Sequence, residues 1–222
     1  MTDLPRGPRW LYLHGFASSP QSTKARAFEA WGAERGLAID ALDLRVPYFE
    51  HLRLSAIKAR VREAIGGERD RAVLIGSSLG GLTACRVAED DPRVCAVLAM
   101  APAFHLADTW RTTMGESAWE RWRAEGTLEV DDHATKAKRR LDFGFVEELA
   151  TLDAEPADVR VPVLIVHGIT DDVVAIERSR TWARGRPHVH LVEVDDGHEL
   201  GRSIPRILAE ADAFFRPFLA RP

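Results

Sequence analysis

The chain has 222 residues, enough for one sizeable α/β domain and short for two. Hydrophobic residues make up 45% and charged residues 29%, which permits a packed core and excludes disordered and fibrous classes. With 30 basic and 34 acidic residues the formal net charge is -4, so no electrostatic footprint points to nucleic acid or an anionic membrane. A small molecule is the expected partner. Residues Met1 to Arg9 lack the apolar core of a signal peptide, and no later run is long enough to cross a bilayer, so a cytoplasmic protein is expected. The two cysteines, Cys85 and Cys95, fall in a predicted helix and a predicted strand, where small buried thiols are common. A disulfide between them is disfavoured, and two cysteines alone cannot make a structural zinc site.

In chain order, short apolar runs predict strands at Trp10 to Leu13, Ile39 to Leu42, Ala72 to Ile75, Cys95 to Met100, Pro162 to Val166 and Val189 to Val194. Each is too short for a helix and mostly unalternating, as expected of parallel strands buried on both faces. Between them, amphipathic stretches predict helices over Thr23 to Arg35, Leu52 to Ile65, Leu79 to Glu89, Ile176 to Ala183 and Ile204 to Leu219. Gly36, Gly66-Gly67 and Asp91-Pro92 supply stops, and Pro205 sits where a first-turn proline is tolerated.

From about Ala103 to Pro156 the alternation lapses, with no strand candidate and a composition rich in tryptophan, arginine and glutamate. This predicts a helical lid inserted into a single domain spanning 1–222, with Gly115, Gly126 and Gly144 as breakpoints. Trp119, Trp122, Phe143 and Phe145 are candidates to line an acyl pocket there, although lid core is the commoner fate of such aromatics. Lys136, Lys138, Arg139 and Arg140 form a basic run read as a solvated helix face, or else as steering for an anionic substrate.

The chemistry-bearing signal is Gly76-Ser77-Ser78-Leu79-Gly80-Gly81, a G-x-S-x-G centred on Ser78. Glycine and serine usage would supply the bare pattern in roughly one chain in ten, so its weight comes from context. It stands between a strand and a helix, where a nucleophile elbow needs glycines to avoid clashes in a cramped turn. A phosphate-binding loop fits less well, since Gly81 is followed by Leu82 rather than Lys and no G-x-G-x-x-G occurs. A serine hydroxyl needs a base, and the base needs a third group to hold it. The fifth predicted strand runs into His167-Gly168-Ile169-Thr170-Asp171-Asp172, and the sixth into Asp195-Asp196-Gly197-His198. In an open parallel sheet these carboxyl ends share one edge, so Ser78, Asp171 and His198 are expected to converge as a catalytic triad, in the chain order Ser, Asp, His. Asp172 is expected to cap the following helix, and Asp195 and Asp196 to shape a tight turn with Gly197. Backbone N–H groups of Leu79 and Phe16 are candidates for the oxyanion hole. Gly15 lets the loop after the first strand approach closely, and His14 is expected to pack beneath the site rather than transfer protons.

With these residues placed, the chain resembles the α/β-hydrolase superfamily over nearly its whole length. The opening Tyr12-Leu13-His14-Gly15-Phe16-Ala17-Ser18-Ser19-Pro20-Gln21-Ser22-Thr23-Lys24-Ala25 is similar to that of small bacterial esterases and thioesterases with a short lid. The resemblance implies a mainly parallel sheet with helices on both faces, carboxylic ester or thioester substrates, and neither cofactor nor metal. His-Gly-x-x-Asp is the spacing that favours Asp171 over Asp172. Because the first strand leads directly into His14-Gly15, the resemblance implies a sheet of about six strands without the usual two leading ones. A non-catalytic ligand-binding protein on the same fold, or an acyltransferase using the same triad, remain the alternatives.

Overall fold

The computed structural model describes residues 7–219. Its main sheet has six parallel strands, β1 (Arg9–Leu13), β2 (Ile39–Leu42), β3 (Ala72–Ser77), β4 (Val94–Met100), β7 (Val163–Gly168) and β8 (Val189–Val194), in the order β2-β1-β3-β4-β7-β8. All six strands expected from the sequence are present. The direction of progression reverses between β1 and β3, and at such a switch point the loops leaving neighbouring strands part to open a crevice.

Alternate residues of each strand enter opposite layers, as a period of two requires. Leu11, Leu13, Leu74, Val97, Ala99 and Ile165 pack with the helices α2 (Leu54–Ile65) and α3 (Leu79–Asp90). Trp10, Tyr12, Val73, Ile75, Leu98 and Val166 pack instead with α1 (Thr23–Ala33) and α8 (Ile204–Phe215), where Trp10 meets Phe215 edge-on with 4.9 Å between ring centroids. A sheet buried on both faces leaves its carboxyl edge as the place where polar side chains can gather. The short helix α7 (Glu177–Ala183) follows β7. Both cysteines are free, and burial pushes the Cys85 thiol up to about 12. Among the described residues no helix is long and apolar enough to cross a membrane.

The segment expected to be a wholly helical insertion needs correcting. It contains α4 (Leu106–Met114), α5 (Glu116–Glu125) and α6 (Gly144–Leu152), but between α5 and α6 lies an antiparallel hairpin, β5 (Thr127–Asp132) with β6 (Ala137–Asp142). Opposite charges face each other across it, Glu129 with Arg140 and Asp131 with Lys138, an arrangement that offsets the low strand propensity of charged side chains. The basic run therefore lies on a strand rather than on a helix face. Arg139 is committed to Glu50 (Nε to Oε1, 2.6 Å), and Asp142 at the far end of the strand pairs with Arg53 at 2.8 Å and with His51. These pairs pin the hairpin to the segment before α2.

Candidate active site

Ser78 sits between the end of β3 and the first residue of α3 with φ 53° and ψ -116°. That conformation is rare for a residue with a side chain and costs about 1–3 kcal/mol. It is imposed by the fit around it: a Cβ on Gly76 would land on the Gly80 carbonyl, and one on Gly80 would land on the Leu13 carbonyl of β1. Strand, elbow and helix can approach this closely only where the pattern has glycine. The turn is further held by Ser78 N–H donating to the Met100 carbonyl at 2.8 Å and by Ala103 N–H donating to the Ser78 carbonyl at 3.2 Å. The hydroxyl makes no cap to its own helix, which leaves it free for His198.

The loops after β7 and β8 are pressed together. Thr170 donates from its hydroxyl to the Asp196 carbonyl at 2.9 Å, and Ile169 N–H donates to the Val194 carbonyl at 2.9 Å. A Cβ on Gly168 would collide with the Asp196 carbonyl. The result is a continuous line: His198 Nδ1 donates to Asp171 Oδ2 at 2.8 Å, and His198 Nε2 accepts from Ser78 Oγ at 3.0 Å. The carboxylate fixes this tautomer, because an ionised oxygen can only accept.

Asp171 is fully buried and completely satisfied. Its second oxygen accepts from Val173 N–H at 2.9 Å and Val174 N–H at 2.8 Å, and Oδ2 also accepts from His167 Nε2 at 3.1 Å. Burial alone would raise its pKa, but hydrogen bonds from His167, His198 and the Val174 amide outweigh burial and hold the carboxyl well below the usual carboxylate range. His167, itself buried, is fixed from behind by Ser179 Oγ at 2.8 Å from Nδ1. The expected helix cap at Asp172 is not made: Asp172 is exposed, α7 begins five residues later without a side-chain cap, and it is Asp171 that takes the amides of the turn. Asp196 shapes its turn as expected, accepting from Gly197 N–H and Ser203 N–H at 2.9 Å each.

The two expected oxyanion donors flank Ser78. Leu79 N–H belongs to the first turn of α3, where helix amides have no intrahelical acceptor. Gly15 approaches so closely that a Cβ on it would lie 3.3 Å from Ser78 Cβ. His14 is buried, and its Nε2 accepts from Leu44 N–H at 3.1 Å, which puts its proton on Nδ1, 2.8 Å from the Gly15 carbonyl. That same carbonyl accepts from Ser18 N–H at 3.3 Å. Since the Gly15–Phe16 peptide is planar and trans, pinning its carbonyl fixes the direction of Phe16 N–H on the opposite side. Both ring nitrogens of His14 are thus engaged by backbone groups beneath the loop that carries Phe16.

A cavity of about 690 Å³ opens over Ser78 and His198. Its lining includes an apolar set, Phe16, Leu106, Trp110 and Val173, and a polar set, Ser22, Thr23, Lys24 and Glu199. Trp119, Trp122, Phe143 and Phe145 do not line it. Trp119, Trp122 and Phe143 are buried against one another as the core of the insertion, with Trp122 donating from its indole to the Leu141 carbonyl at 3.1 Å, and Phe145 is buried behind the cavity against Phe16 and Trp110. The aromatic that reaches the cavity is Trp110, whose ring stands edge-on to Phe16 at 5.0 Å. Leu106 and Trp110 are four residues apart on α4, hence on one face of the helix, and that spacing just after β4 was the available signal. The hairpin closes one side, with Ala134 N–H donating to the Ala17 carbonyl at 3.1 Å and His133 reaching the cavity.

Solved structures share this architecture. Alpha/beta hydrolase domain-containing protein 10 from mouse superposes with a TM-score of 0.79 at 20% identity, covering 98% of this chain and 96% of that one. Est1E from Butyrivibrio proteoclasticus gives 0.75 at 21%, covering 99% and 91%. The esterase domain of a Rhodothermus marinus protein gives 0.66 at 21%, covering 99% and 90%. At such identities the likeness speaks for the fold, which is that of the α/β-hydrolase superfamily. The model of one family matches residues 9–216, a stretch running from β1 past the end of α8 and including every residue of the site just described, and the chain accordingly belongs to the Uncharacterised protein family (UPF0227).

Proposed function

We propose that the protein is a serine hydrolase that cleaves small carboxylic esters or thioesters through an acyl-enzyme on Ser78. The observation that carries this reading is the unbroken hydrogen-bond line from Ser78 Oγ through His198 to the buried Asp171 carboxylate. Ser78 Oγ attacks the carbonyl carbon while His198 Nε2 takes its proton, and the Phe16 and Leu79 N–H groups hold the oxyanion. As the tetrahedral intermediate collapses, the bond to the leaving oxygen or sulfur breaks and His198 returns the proton to that atom. Water then repeats the sequence: His198 takes its proton, the hydroxyl adds to the acyl carbon, and Ser78 leaves with the proton. Asp171 orients the imidazole and stabilises its charged form throughout. The cavity volume lies within the range of small-molecule sites, and the Rhodothermus esterase domain shares the fold, both of which favour a small acyl substrate.

The test is turnover of p-nitrophenyl butyrate by wild type and Ser78→Ala, together with labelling by a fluorophosphonate. Wild type is expected to turn over the ester and to be labelled at Ser78, and the variant to do neither while keeping its circular dichroism spectrum. Undiminished turnover in Ser78→Ala would remove Ser78 as the nucleophile.

A further inference from the structure

Lys24 is the single lysine or arginine in the cavity wall, and Glu199 the single carboxylate, among the described residues. The two are not equivalent. The Lys24 side chain is only 11% exposed, whereas that of Glu199 is 91% exposed. The ammonium donates at 2.7 Å to a neutral acceptor, the Glu199 backbone carbonyl, and lies 3.5 Å from the Glu199 carboxylate. A desolvated charge is costly unless paired, and a nearly fully hydrated carboxylate at that distance compensates it little. The cost is visible in the ammonium itself: burial lowers its pKa, and the neighbouring Glu199 offsets this only in part. The two other carboxylates whose charge reaches Lys24 are engaged elsewhere, Asp196 by the Gly197 and Ser203 amides and Asp171 by its own four donors. The same wall carries the hydroxyls of Ser22 and Thr23 at the start of α1, where free amides and the helix dipole also favour negative charge. Tyr12 borders it, with a buried hydroxyl that has no hydrogen-bond partner; Ser22 lies beside it but outside bonding geometry.

The polar lining residue Glu199 adjoins His198 in the chain and is tied to Lys24, whereas Phe16, Leu106 and Trp110 form a separate apolar set joined by the Phe16–Trp110 ring contact. The leaving atom must lie within reach of His198 Nε2 to receive its proton, so the leaving group belongs on the polar side and the acyl chain on the apolar side. Resting on the hydrolase reading above, we propose that Lys24 is a specificity residue that binds a carboxylate carried on the leaving group of the substrate, displacing the exposed Glu199 carboxylate. The preferred substrates are then esters or thioesters of hydroxy or mercapto acids with short apolar acyl chains.

The experiment compares S-butyryl-3-mercaptopropionate with its neutral isostere S-butyryl-3-mercaptopropanamide, and with S-propyl hydrogen thioglutarate, which carries the carboxylate on the acyl side. Wild type is expected to favour the mercaptopropionate over both by about tenfold or more in kcat/KM. Lys24→Met should lower kcat/KM for the mercaptopropionate about tenfold and for the amide less than threefold. Glu199→Gln, at a side chain that is almost wholly exposed and outside the fold's core, should raise the mercaptopropionate preference about two- to threefold. Equal losses on the two leaving groups in Lys24→Met would mean that Lys24 only braces the His198 loop, and would overturn the proposal. A preference for the thioglutarate would overturn the assignment to the leaving-group side. Calorimetric binding of both leaving-group thioesters to Ser78→Ala needs no turnover: equal affinities there overturn the proposal even if wild type proves not to be a hydrolase, whereas turnover of p-nitrophenyl butyrate with no charge preference leaves the hydrolase reading standing alone.

Discussion

The carboxyl edge of the main sheet and the 103–156 insertion are held by different forces. At the edge the backbone is crowded to the limit: Gly76, Gly80 and Gly168 leave no room for a Cβ, and Asp171 accepts four hydrogen bonds. The insertion instead depends on non-directional packing of Trp119, Trp122 and Phe143, supplemented by ion pairs between its hairpin and the segment before α2. The edge therefore fixes the positions of Ser78, His198 and Asp171, and the insertion contributes to the shape of the space above them. Substitutions in the first should change the chemical step, and those in the second stability and substrate fit.

The largest expected effect falls on the edge. Asp171→Asn should reduce kcat by about 10³–10⁴-fold with little change in KM, since it leaves the shape but misorients the His198 tautomer. Steady-state kinetics on p-nitrophenyl butyrate checks this, and a drop in KM alone would contradict it. The same variant tests the electrostatics. With a folded pKa below that of an unfolded aspartate, the Asp171 contribution to stability is fully present above about pH 4 and is lost as pH falls through the folded value. Wild type and Asp171→Asn should therefore differ most in urea unfolding at pH 5 and converge on acidification.

Next comes the core of the insertion. Phe143→Ala removes a buried ring packed on Trp119 and Trp122 and should destabilise the protein by about 3–5 kcal/mol, while fluorophosphonate labelling of the molecules that remain folded is retained. Loss of labelling in the folded fraction would mean that the two regions are not separable. The smallest effect belongs to Arg139→Ala, which breaks a partly exposed ion pair with Glu50; stability should fall by only about 0.2–1 kcal/mol, and KM should rise severalfold as the hairpin loosens over the cavity, with kcat unchanged.

The same contrast governs what could be read without a structure. The inner strands β1, β3, β4 and β7 are apolar runs buried on both faces, so composition marks them, whereas the edge strands β2 and β8 are only partly buried and carry Asp40, His190 and Glu193. The loops that end β3, β7 and β8 carry Ser78, Asp171 and His198, and the shared edge of a parallel sheet is enough to expect the hydrogen bonds that join them. The β5–β6 hairpin was illegible because its strands are Thr-Leu-Glu-Val-Asp-Asp and Ala-Lys-Arg-Arg-Leu-Asp, half-exposed and charged. Their pairing is stabilised by cross-strand charges that mean nothing until the strands meet. The aromatics of the insertion were equally ambiguous, because a tryptophan in a core and one in a pocket have the same local sequence signature. Trp110 reaches the cavity and Trp122 does not only because α4 packs beside Phe16 while α5 packs behind it.

The opening glycines, the serine between them and the carboxylate and imidazole after later strands are local requirements, each dictated by backbone sterics or by the chemistry of a hydroxyl nucleophile. They can be read one at a time along the chain. The burial of the Lys24 ammonium against the carbonyl of Glu199, 175 residues away, depends on how α1 docks against the loop that carries His198. Desolvation is a property of the surroundings and not of the residue, so the buried charge in the cavity lining is decided only once the chain has folded.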